Sequence, residues 1–299
     1  MFAAEEHKRI VSRLAGSDVL YDCCAGVGPF VIPALKNTRQ RASGDAKGAL
    51  EDVCGAVLAN DLNPVAVQYL AQNALANLRG KRTQRRHQLR IYNMDAVLFI
   101  RGPLKRHYIA CLERLATGPP PPNEVAAAIW KQPPVLTEIA ILQQVDADAE
   151  AASISPTPAP LVEFVRSDSR AHVVLNLPAI ATTFLGSFCG LLADRAELLL
   201  AGRPRVPLLV YCYAFSKADD AEADVRARVL AELRVGADAT DAPTVRTRLV
   251  RDVAPYKRMI CAEFELPVSL LISKTLPDEP SSTDASKLHE KDSDNEDFA

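Results

Sequence analysis

The sequence predicts an α/β fold built on an open, doubly wound sheet. Short apolar runs alternate with stretches of helical periodicity along most of the 299 residues, the pattern of parallel strands joined by crossover helices. Four of those runs end in Asp or Asn, and the first breaks at once into a glycine turn, Val19-Leu20-Tyr21 leading into Asp22-Cys23-Cys24-Ala25-Gly26-Val27-Gly28-Pro29-Phe30. With 48% hydrophobic residues the chain can bury a sizeable core.

The opening segment from Ala3 reads as a helix start with Ile10, Val11 and Leu14 on its apolar side. Glu5 and Glu6 suit its first turn, where the helix dipole favours carboxylates. In the glycine turn, Gly26 and Gly28 permit positive φ and close ligand approach, and Pro29 fits the start of a short helix running through Val31 to Leu35. Val31 stands where the dinucleotide fingerprint has its third glycine, so this is not that motif. Asn37 to Asp52 is a polar interruption.

The second run, Ala56 to Ala59, ends at Asn60-Asp61-Leu62-Asn63-Pro64. An acid at this strand end lies beside the first glycine turn and can accept ribose hydroxyls. Pro64 to Asn77 is helical, started by its proline. Arg79 to Arg90 then holds six Lys/Arg and no acid, read either as a solvated loop or as a phosphate-contacting patch. The third run, Leu89 to Tyr92, ends at Asn93-Met94-Asp95.

Leu115 to Arg170 is rich in proline and is expected as an excursion from the domain, with a short helix near Val125 to Trp130. Regularity returns with the strand His172 to Leu175, ending at Asn176-Leu177-Pro178, and a helix over Ile180 to Leu192. A strand over Leu208 to Phe215, a helix over Ala218 to Leu233, and an antiparallel pair from Val245 to Val253 and Met259 to Leu266 close the sheet. The expected domain covers residues 1–273. Lys274 to Ala299 carries eight Asp/Glu against three Lys and is expected to be a disordered acidic tail.

The motifs Asp22-x-x-Ala-Gly-Val-Gly-Pro-Phe, Asn60-Asp61-Leu62-Asn63-Pro64, Asn93-Met94-Asp95 and Asn176-Leu177-Pro178, in this order, resemble the archaeal and eukaryotic type of tRNA (guanine-N1)-methyltransferase. Tyr211 to Lys217 and Val250 to Pro255 agree with it. The resemblance implies a Rossmann-like class I methyltransferase fold and S-adenosylmethionine as cofactor. It also implies methylation of N1 of the guanosine immediately 3′ of the anticodon in tRNA.

Carried over residue by residue, it makes Glu6 the general base and His7 a cofactor contact. Asn176 positions the guanine edge or the methionyl part of the cofactor, and Pro178 shapes that turn. The backbone at Gly26 and Gly28 admits the methionyl part, Asp61 binds the ribose and Asp95 the adenine amino group, with Asp22, Leu62 and Ala96 as further expected cofactor contacts. The family also carries an arginine and a tRNA-gripping region upstream of the Glu-His pattern. The chain therefore reads as the catalytic part of a longer protein, with weak, salt-sensitive tRNA binding and little methylation until that region is joined.

Three rival readings stand beside this one. A sister family transfers the aminocarboxypropyl group of the same cofactor in wybutosine synthesis. An exocyclic amino methyltransferase is disfavoured because Ala179 occupies the aromatic position that would stack the base. The third is a non-catalytic cofactor- or tRNA-binding remnant.

Seven cysteines without Cys-x-x-Cys spacing argue for reduced thiols and against a zinc site. No apolar run is long enough to span a bilayer and the first residues carry no signal core. The protein is expected to be a monomer inside the cell, in cytoplasm, nucleus or mitochondrial matrix. The tail's −5 within a whole-chain net of −2 leaves the body at +3, compatible with an RNA partner.

Overall fold

The computed structural model describes residues 2–36, 55–117, 141–143, 161–162, 165–199, 202–235 and 241–273. The predicted helix near Val125 to Trp130 and the acidic 274–299 stretch lie outside them.

Eight strands form one sheet: β1 (Val19–Asp22), β2 (Ala56–Asn60), β3 (Leu89–Asn93), β4 (Ile141–Gln143), β5 (Ala171–Leu175), β6 (Leu208–Ser216), β7 (Arg246–Ala254) and β8 (Lys257–Glu265). Their order is β4-β3-β2-β1-β5-β6-β8-β7. All pairs from β4 to β6 are parallel, whereas β8 runs antiparallel to both β6 and β7. This is the doubly wound sheet with a closing antiparallel pair that the sequence predicts.

Alternation along the strands explains the two-sided burial. On β1, Val19 and Tyr21 enter one apolar cluster and Leu20 the other; on β6, Val210, Cys212 and Ala214 face the first while Tyr211 and Tyr213 face the second. Helices cover both faces, as parallel sheets require. α1 (Phe2–Val11), α2 (Val31–Lys36) and α3 (Pro64–Asn77) pack on one side. On the other lie α4 (Ala96–Phe99), α5 (Lys105–Thr117), α6 (Ala221–Glu232) and α7 (Val268–Leu271).

Two elements differ from the sequence reading. Within the proline-rich interval, Ile141 to Gln143 add a parallel edge strand beside β3. The helix expected from Ile180 is a 3₁₀ segment, Ala181–Phe188. β-branched Thr182 and Thr183 and two glycines weaken an α-helix there. Gly190 has φ +67°, and a Cβ on it would lie 2.7 Å from the Ser273 carbonyl oxygen, so the chain must turn at this point.

The glycine turn holds a similar constraint. Gly28 has φ +95°, and a Cβ there would come within 2.5 Å of Leu70 Cδ1. The methyl end of Leu70 can give way only slightly, since that side chain is fully buried. Gly28→Ala is therefore expected to destabilise the fold by about 1–3 kcal/mol, read by urea or thermal unfolding. Unchanged stability would mean that the turn relaxes freely.

Candidate active site

The strand order places a crevice. From β1 the chain builds outward through β2 and β3 to β4, then returns to β5 on the other flank of β1. Ligands of open α/β sheets bind outside the carboxyl ends of the strands at such a reversal. The residues following β1 and β5 there are the glycine turn and Asn176.

Polar side chains knit these strand ends together. Asn60 is fully buried; its amide donates to the carbonyls of Cys23 (3.1 Å) and Met94 (3.0 Å), and its oxygen accepts the Met94 N–H. Asn93 donates to the carbonyls of Asp61 (2.8 Å) and Leu62 (3.0 Å). Asp61 Oδ2 accepts the Gly26 N–H at 2.8 Å and Oδ1 accepts the Asn63 N–H at 2.9 Å, so this carboxylate props the glycine turn. Asp95 caps α4 through the N–H groups of Val97 and Leu98. Leu62 is largely exposed at the rim and Ala96 is buried.

Asp22 differs from its neighbours. It is fully buried, and neither carboxyl oxygen has a hydrogen-bond partner. Burial, with a smaller push from the charge of Asp61, raises its carboxyl to about 8, although an approach of the Cys24 backbone N–H that falls short of hydrogen-bond geometry acts in the opposite direction. Beyond burial, the charges of Asp22, Asp61 and Asp95 all raise the Cys24 thiol, so the three acids converge on one spot.

The glycine turn leads through Phe30 into an adjoining cleft that also holds Glu6, His7, Asn176, Tyr213 and Met259. Glu6 and His7 come from α1 and Tyr213 from β6. Glu6 is buried, and its carboxylate is gripped on all sides. Arg9 donates from Nε at 3.0 Å and from Nη2 at 2.7 Å, the Tyr213 hydroxyl donates at 2.9 Å, and Arg248 forms an ion pair from β7. His7 meets the Phe30 ring edge-on at 4.5 Å, and burial lowers its pKa below the usual 6.5, leaving it neutral at pH 7. Asn176 makes no side-chain hydrogen bond among the described residues. The turn after it is held by the Pro178 carbonyl accepting the Phe215 N–H at 3.0 Å.

Glu6, His7 and Asn176, far apart in sequence, thus share one cleft. Asp22, Gly26, Gly28, Asp61 and Asp95 gather at the strand ends beside it. Tyr213, Arg9 and Arg248 escape a reading of the sequence. The period-2 pattern of β6 marks Tyr211 and Tyr213 as one face, but nothing local says which helix covers it.

No protein-family model matches the chain. Among curated proteins, the tRNA (guanine(37)-N(1))-methyltransferase of Danio rerio is 33% identical over 89% of this chain. That of Caenorhabditis elegans is 29% identical over 93%. The chain is a relative of the tRNA (guanine(37)-N(1))-methyltransferases. It spans 38% and 47% of the length of these two relatives. Among solved structures, Trm5b from Pyrococcus abyssi overlaps 88% of this chain and 48% of its own, at 17% identity and a TM-score of 0.43.

In a relative of tRNA methyltransferases, the Arg79 to Arg90 run invites assignment to phosphates, and the structure gives three of its arginines other work. Arg85 donates to the carbonyls of Leu35 and Lys36, Arg86 to those of Leu78 and Leu75, and Arg90 to those of His87 and Leu89. Arg85 and Arg86 satisfy carbonyls at the ends of α2 and α3, which the helices leave without partners. Among the described residues no helix is long and apolar enough to cross a membrane, and no cluster of three or more His, Cys, Asp or Glu has metal-binding geometry.

Proposed function

We propose that residues 1–273 form the catalytic unit of an S-adenosylmethionine-dependent methyltransferase acting on N1 of the guanosine at position 37 of tRNA, the activity in its relatives' name. The observation that carries this reading is the cleft that joins Glu6, His7 and Asn176 to the glycine turn. Bound S-adenosylmethionine supplies an electrophilic methyl group on a sulfonium. The residues present suit such a ligand. Gly26 and Gly28 have no Cβ, Asp61 and Asp95 offer acceptors at the strand ends, and buried Asp22 has both oxygens unpartnered. In this reading Leu62 packs beside the ribose and Ala96 beside the adenine.

Neutral guanine N1 carries a proton and is a poor nucleophile. Glu6 takes that proton, and the electron pair left on N1 becomes the nucleophile. Arg9 and Tyr213 fix the carboxylate's orientation, as positioning a catalytic group within a narrow geometry requires. The free amide of Asn176 offers donor and acceptor to the guanine edge. Phe30 and Met259 exclude water from the cleft. The chain is proposed to act as a monomer. With tRNA as the proposed substrate, the proposed compartments are cytoplasm, nucleus or mitochondrial matrix.

The direct test is incubation with tRNA and methyl-labelled cofactor, using the chain alone and the chain completed with the remaining length of a relative. One methyl on N1 of guanosine 37 is expected. An aminocarboxypropyl product would instead favour the sister chemistry. Cofactor binding gives a separate check. Asp61→Ala removes both the proposed ribose acceptor and the prop under Gly26 and should weaken S-adenosylmethionine binding about tenfold or more, as loss of a hydrogen bond to a charged group does. Calorimetric titration showing equal affinity would remove Asp61 from the site.

A further inference from the structure

Glu6 is saturated. A carboxylate offers about four acceptor positions, and four donors fill them: Arg9 Nη2 and the Tyr213 hydroxyl on Oε1, and Arg9 Nε and Arg248 Nη2 on Oε2. An entering guanine N1–H needs one of these positions, so one donor must leave. The three partners are not held equally. Arg9 stands three residues from Glu6 on α1 and also pairs with Glu263, which Arg13 holds in turn. Tyr213 is 1% exposed on β6, between two other strands. Arg248 reaches in from β7, the edge strand, with its side chain 47% exposed, and makes no second hydrogen bond or ion pair among the described residues.

We propose that Arg248 is a latch on Glu6 and a positioning residue for the reaction. It occupies Oε2 until a guanine edge enters the cleft, then withdraws and leaves that oxygen to N1–H. The inference rests on reading Glu6 as the base. It adds a source of selectivity: a ring nitrogen displaces the guanidinium from Oε2 only if it carries a proton. Guanine N1 does, whereas adenine N1 turns a lone pair toward an oxygen already rich in electrons. Burying the carboxylate without substrate is costly unless it is paired, and the latch meets that need with a cation that can return to solvent.

The test uses the full chain saturated with S-adenosylhomocysteine and guanosine 5′-monophosphate as probe. The side-chain Nε–H resonance of Arg248, assigned by its loss in Arg248→Lys, is expected to move as the nucleotide binds, and to stay put with adenosine 5′-monophosphate. Arg248→Met keeps the length of the side chain and removes its donors. It should bind the guanine nucleotide about threefold to tenfold tighter, the equivalent of releasing one partly exposed ion pair, while Arg248→Lys keeps affinity near wild type. Nucleotide that shifts Phe30 and Tyr213 signals but leaves Arg248 in place, with equal or weaker affinity in Arg248→Met, overturns the latch and spares the base assignment. Nucleotide that moves no cleft resonance in any of these proteins overturns the guanine reading, and the latch with it.

Discussion

Replacing Glu6 by Gln is expected to lower single-turnover methyl transfer by about 10²- to 10⁴-fold, the usual contribution of one general base. The amide keeps the shape of the side chain but cannot take the N1 proton. It also turns an NH₂ group toward donors, because Arg9, Arg248 and Tyr213 all donate to this carboxylate. Some stability should therefore be lost along with the rate. Unfolding and cofactor affinity must be measured on the same variant, and the base assignment requires a rate loss far exceeding any change in binding. A variant that melts earlier yet turns over at the wild-type rate would show that Glu6 serves the packing of α1 alone.

Asp22→Asn is expected to stabilise the protein, and to do so more at pH 8 than at pH 5. Asp22 is fully buried without a hydrogen-bond partner, and its carboxyl is raised from 3.8 to about 8. The folded pKa lies above the unfolded one, so below about pH 4 both states hold the proton and the group is neutral to stability. Between about pH 4 and pH 8 the unfolded chain has lost the proton while the folded chain retains it, and stability falls as pH rises. Above about pH 8 both are ionised and the full penalty, on the order of 5 kcal/mol, is reached. Asn cannot ionise and escapes this cost. Urea melts of both proteins at the two pH values read the effect, and a gain independent of pH would contradict it. A carboxyl raised in this way beside the strand-end crevice suits the proposed ligand-binding role, and in its neutral form it can donate a hydrogen bond.

The fold was legible because its signals are local. Val19 to Tyr21, Ala56 to Ala59 and His172 to Leu175 are short apolar runs with polar ends, and each became a buried parallel strand. Ile141 to Gln143 gave no such signal, being three residues among prolines that join the edge by pairing with β3. Helix pattern over Ile180 to Leu192 misled because it weighs apolar spacing and not the glycine that must pass Ser273. The sequence named residues that share the cleft but not how they are wired. Glu6 and Asn176 stood out through motif resemblance, yet Tyr213 lies 207 residues from Glu6 and finds it only through the packing of α1 on β6. The Arg79 to Arg90 run shows the converse, since a count of charges cannot tell that Arg86 will be buried against helix-end carbonyls.

In the proposed complex the strand-end crevice holds S-adenosylmethionine with its methyl group directed into the cleft of Glu6 and Asn176. This placement is tested most directly by nuclear Overhauser contacts from cofactor carrying a ¹³C-labelled methyl, bound to the chain. Contacts are expected from that methyl to the side chains of Phe30, Tyr213 or Asn176, lost when Asp61→Ala weakens binding. Bound cofactor whose methyl touches none of these three residues would contradict it.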